Sequence, residues 1–93
     1  MSTFHLAQPS ERDACAALQR VFGAVSAQEK WTHACRDARL VPGHVQTTAQ
    51  LGRVAAELAR QGGATASVAR SIEIRLHTFS RYIANTSTVS VTP

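Results

Sequence analysis

Thr65-Ala66-Ser67-Val68-Ala69-Arg70-Ser71-Ile72-Glu73-Ile74-Arg75-Leu76-His77-Thr78-Phe79-Ser80-Arg81-Tyr82-Ile83 is the stretch on which the fold turns. Its pattern predicts two short helices crossing steeply, a helix-turn-helix spanning residues 64–85. Ala69 is small enough for the point where two such helices touch, and Val68, Ile72 and Ile74 supply apolar contacts around the turn. Phe79, Tyr82 and Ile83 recur at i, i+3 and i+4, which gives the second helix one face to bury. Arg75, His77, Thr78, Ser80 and Arg81 point away from that face. The turn position falls on Glu73 rather than glycine, and a non-glycine residue in a left-handed turn costs roughly 1 kcal/mol.

Upstream, the reading is helical throughout. Ser10 with Asp13 marks a helix start, followed by Ala14, Leu18, Val21 and Phe22 at helical spacing and a stop at Gly23. Ser26 with Glu29 predicts a capping box for a second helix, whose stripe is Ala27, Trp31, Ala34, Cys35 and Ala38. Leu40-Val41-Pro42-Gly43 ends it. A third helix begins at Thr47 or Thr48, carries Leu51, Val54, Ala55, Leu58 and Ala59, and stops at Gly62-Gly63. Residues 86–93 alternate with Val89 and Val91 on one side, and residues 3–6 alternate with Phe4 and Leu6 together. These ends are either short strands or frayed. The expected fold is all-α, about five short helices, with a helix-turn-helix formed by the last two. Residues 1–8 make an N-terminal arm, 9–85 the helical domain and 86–93 a C-terminal tail.

Ninety-three residues suit one small domain, for which a second copy is a ready source of buried surface. The formal charge of +4 favours an acidic partner, with nucleic acid first and an anionic membrane surface second. No helix pairs a strongly apolar face with a dense basic one, which counts against the membrane. Arginine supplies all the basic residues except Lys30 and suits phosphates and guanine edges, although a GC-rich genome has the same effect. Residues 1–6 lack the basic and apolar regions of a signal peptide, so the expected location is cytoplasmic. Cys15 and Cys35 then read as reduced buried thiols.

Chemistry has little footing. Glu11, Asp13, Glu29, Asp37, Glu57 and Glu73 are scattered, and no serine or cysteine has an activating context, so neither catalysis nor a cofactor is expected. Cys15, His33, Cys35 and His44 lack the close paired spacing of structural zinc ligands. Trp31 reads as core or dimer interface.

The run Thr78-Phe79-Ser80-Arg81-Tyr82-Ile83 resembles the Thr-Val-Ser-Arg-x-apolar recognition helix common in bacterial helix-turn-helix repressors. More broadly, residues 40–83 resemble the small plasmid-encoded Kor repressors, which control promoters of plasmid maintenance and transfer genes. The resemblance implies a transcriptional repressor that occupies a palindromic operator on double-stranded DNA as a homodimer. In that docking mode Arg75, His77, Ser80 and Arg81 would read bases, and Thr65, Ser67, Arg70 and Thr78 would meet phosphate. The bland reading of Arg70, Arg53 and His77 is solvated surface. The rival classes are an antitoxin-like autoregulator and a protein-interaction module such as a phage-type inhibitor, whose helical face binds a partner protein.

Overall fold

The computed structural model describes residues 8–91, with side chains through Ala84. They form four helices: α1 Glu11–Phe22, α2 Ala24–Asp37, α3 Thr48–Arg60 and α4 Gly63–Val91. The all-α class holds, but the expected fourth and fifth helices are one helix. Residues 86–91 belong to it, so the C-terminal strand reading is overturned, and the reading of residues 3–6 falls outside the described residues.

Helix starts follow local chemistry in two places. The Ser10 hydroxyl accepts from the Asp13 N–H at 3.2 Å while the Ser10 N–H donates to the Asp13 carboxylate at 3.2 Å. Thr47 and Gln50 form the same reciprocal pair at the start of α3, each bond 3.1 Å. The expected Ser26–Glu29 cap does not form. Gly23, at φ +81°, turns the chain so tightly that α2 begins at Ala24, and Ser26 lies inside its first turn.

α2 ends before the proline rather than at it. The Leu40 N–H donates to the Cys35 carbonyl at 2.8 Å and the Arg39 N–H to the Arg36 carbonyl at 3.0 Å, the paired bonds of a Schellman stop. Arg39 takes the left-handed position usually given to glycine, at φ +61°. The Arg53 guanidinium, on α3, donates to the Ala38 carbonyl and satisfies another of the free acceptors at this helix end.

The core is built of small residues around one large one. Trp31 is 1 % exposed and lies among Ala14, Leu18, Ala27, Ala34, Cys35, Leu51, Val54, Ala55 and Leu58, with Val68, Ala69 and Ile72 of α4 completing the cluster. A buried indole needs a partner for its N–H. Trp31 Nε1 donates to Glu11 Oε2 at 2.7 Å, and the same carboxylate accepts from the Gly43 N–H at 2.7 Å and the Val45 N–H at 3.2 Å. One side chain at the start of α1 therefore fixes α2 and the loop that leads into α3.

α3 and α4 form an antiparallel hairpin. A Cβ placed on Gly52 would lie 3.9 Å from Leu76, while Thr48 and Ala49, earlier in α3, border Phe79 and Ile83, later in α4. The connection is two residues, Gln61 and Gly62, with Gly62 at φ +75°. Gln61 Nε2 ties this turn to the Lys30 carbonyl of α2 at 3.4 Å.

Both cysteines are free, Cys35 buried and Cys15 partly so. Burial, reinforced by the Glu11 carboxylate, pushes the Cys15 thiol up to about 11 and Cys35 up to about 12. Stability from the neutral thiols is fully present below their ordinary pKa of 9.0 and is lost as pH rises through these folded values. Chemical denaturation is expected to show unfolding free energy falling from pH ~9 upward, with a shallower fall in the Cys15→Ala/Cys35→Ala double variant. Glu11→Ala leaves the Trp31 N–H unpaired and frees the loop. A loss of roughly 2–3 kcal/mol is expected, read as a fall in Tm on the order of 10 °C by circular dichroism.

Candidate nucleic-acid interface

α4 carries every residue expected to touch DNA, and its continuity rearranges them. Successive residues of a helix are turned by about 100°, so side-chain directions follow from spacing once no turn intervenes. Thr65, Ala69, Ile72, Leu76, Phe79 and Ile83 recur at steps of four and three and make one seam. The first three are buried against the core and Leu76 is partly so.

Arg70, Ile74, His77 and Arg81 also recur at four, three and four; Arg70, Ile74 and Arg81 occupy the side opposite the seam, while His77 also borders the groove beside α3. All four are exposed, Ile74 at 59 %. Arg70 and Arg81 are separated by about 16 Å along the axis. Ser67 and Thr78 are exposed beside this stripe. Arg75 lies off to the α1 side, where it shares a shallow cleft with Asp13 and Arg20. Ser80 lies off to the α3 side, in the groove bordered by Thr48, Ala49 and Gly52.

Thr65 is a clear correction. It is 3 % exposed, and the helix starts two residues before it, so it neither caps α4 nor reaches a phosphate. Ile74, expected inside, is outside. The reason is common to both: a kink at Glu73 would rotate the flanking residues relative to one another, and a straight helix does not.

The charge on this face is uncompensated. α4 holds Arg70, Arg75 and Arg81 with Glu73 as its one acidic residue. None of these arginines has an ion-pair partner among the described residues. The other arginine-rich area, at the ends of α2 and α3, differs. There Asp37 lies 3.3 Å from His33, Glu57 lies 3.7 Å from Arg60, and Arg53 is engaged by a backbone carbonyl. Part of that positive potential is therefore spent on structure, while Arg36 and Arg39 there stay exposed without an ion pair among the described residues, as the arginines of α4 do.

No helix among the described residues is long and apolar enough to cross a membrane. Among the same residues no group of three or more His, Cys, Asp or Glu side chains could hold a metal ion.

Continuity through Glu73 has a direct test. Glycine at a left-handed turn would stabilise the protein, whereas glycine in a helix interior weakens it. Glu73→Gly is expected to lower stability by about 1 kcal/mol, measured by urea denaturation.

Compared with protein-family models, curated proteins and solved structures, the chain finds no match.

Proposed function

We propose that this chain is a sequence-specific DNA-binding protein that acts as a homodimer on a palindromic operator and represses transcription by occupying it. The observation that carries the proposal is the exposed, uncompensated Arg70–His77–Arg81 stripe on the outward side of a rigid helix. A major groove about 12 Å wide admits one α-helix, and side chains on its outermost line meet base edges. On one continuous helix Arg70, expected at phosphate, shares the outward line with Arg81, whereas Arg75, expected at bases, does not, so Arg81 and Arg70 would bond guanine acceptors, with His77 between them. Ser67, Thr78 and Arg75 then fall where the groove walls present phosphates. One helix reads only a few base pairs, and a two-fold pair of them supplies the remaining affinity and specificity.

A second reading has one observation in its favour. Ile74 stands exposed in the middle of the stripe, where it can anchor a partner protein as well as meet a thymine methyl group. In that reading the chain is an interaction module and Ile74 outweighs the arginines.

Selection from a random duplex pool, followed by binding assays on variants, separates the two. Enrichment of a palindrome is expected, with Arg81→Ala losing on the order of 1–3 kcal/mol at the selected site. Arg60→Ala, whose charge is already met by Glu57, is expected to bind like the parent. A pool that stays random, with binding abolished by moderate salt, overturns sequence reading and leaves only a basic surface.

A further inference from the structure

Arginine is a costly residue for the stop at the end of α2. Arg39 holds φ +61°, a left-handed position in which Cβ crowds the chain and which glycine adopts freely. Backbone held against its preference is a pointer to function when nothing nearby offsets the cost.

Nothing within the chain does so here. Arg39 is exposed, and its guanidinium makes no hydrogen bond or ion pair among the described residues. The carbonyls of the helix end are already met. Ala34, Cys35 and Arg36 accept backbone N–H groups, and Ala38 accepts from Arg53. Arg36 already supplies a cation to the last turn, so the helix dipole does not call for a second one.

The position of Arg39 says what it can reach. α3 buries Leu51, Val54, Ala55 and Leu58, and α4 buries Val68, Ala69 and Ile72, all in one core. The rows on their opposite sides therefore share one surface, turned away from that core. On α4 the row is Arg70, Ile74 and Arg81. On α3 it is Ala49, Arg53, Ala56 and Arg60, spaced four, three and four, all exposed and with no carboxylate among them. Arg39 joins this surface at its edge, where it shares a shallow cleft with Arg53 and Ala56. Asp37 and Glu57 border the same cleft, but they lie against His33 at 3.3 Å and Arg60 at 3.7 Å.

We infer that Arg39, with Arg53 beside it, grips a backbone phosphate of the duplex whose groove α4 reads. This rests on the DNA-binding reading above and adds a second point of contact to it. Packed helices lie roughly 8–10 Å apart. With α4 in a major groove about 12 Å wide, α3 comes over the groove's edge, where a phosphate strand runs. A row of alanines and arginines admits that strand, whereas carboxylates would repel it. A guanidinium with no internal partner keeps its whole fork of donors for phosphate oxygens. The two-residue turn between α3 and α4 then sets the register between the phosphate grip and the base-reading row.

The test is titration of a labelled duplex with the full chain across a range of salt, using the selected palindrome and a random duplex of equal length. Arg39→Gly suits the left-handed position, so its Tm is expected at or above the parent's. Its affinity for both duplexes is expected to fall several-fold, and the slope of log K against log salt by about 0.9, the mark of one lost phosphate contact. Arg39→Asn, also tolerated there, is expected to follow, and Arg39→Lys to keep the parent's slope. Arg60→Ala removes the same charge and is expected to keep it too. Parental slopes in both Arg39→Gly and Arg39→Asn, with Arg81→Ala still losing the palindrome, overturn the phosphate grip and leave the DNA reading standing. A loss confined to the palindrome places Arg39 at a base and overturns the grip. An equal loss in Arg60→Ala makes the effect one of net charge and overturns it as well. A parent that binds neither duplex at low salt overturns the DNA-binding reading itself.

Discussion

The carboxylate of Glu11 is the constraint on which the rest of the structure depends. Burying Trp31 in so small a protein contributes much of the available apolar stabilisation, but it also buries an N–H that must find an acceptor. Glu11 supplies it and uses its remaining lone pairs on two backbone N–H groups of the loop between α2 and α3. A loop that would otherwise be free is thereby pinned just before Thr47, where α3 is capped. The position of α3 sets that of α4, because the two-residue turn leaves little freedom between them.

The small side chains of the core have a structural consequence. Alanines at positions 14, 27, 34 and 55 let the helices approach closely around Trp31, so α1, α2 and α3 occupy little width. α4 is more than twice as long as α3, and three short helices cannot cover it. Its seam is therefore satisfied at one end and open at the other. The 50 Å long dimension of the molecule, against 29 and 22 Å, reflects that mismatch.

Much of this was legible in the residues. Ser10 with Asp13, Thr47 with Gln50, and the stripes through Leu18, Trp31 and Leu58 specify local structure by chemistry confined to a few neighbours. What misled was a resemblance read over a short window. Thr78-Phe79-Ser80-Arg81 fits a recognition helix, but residues 64–91 contain no glycine or proline to interrupt a helix, and the four-three seam passes through Glu73 without a change of phase. That unbroken phase is the signal that one helix, not two, was encoded. Glu11 was less accessible. Its role is set by residues 20 to 34 positions away, and nothing in its neighbours announces it. Ser26 failed as a cap because Gly23 offers an earlier start, a competition that local motifs do not reveal.

Fusing the two expected helices changes what the site residues can do together. In a helix-turn-helix the reading helix is short, and its orientation is set by the helix that crosses it. In this protein the outward stripe is held by the same backbone that makes the seam, so the two faces are coupled rigidly through α4. Anything that packs against Phe79 and Ile83 fixes the direction of Arg81 without touching it. Arg70 and Arg81 therefore keep one direction relative to the apolar seam, with no moving part between the two faces.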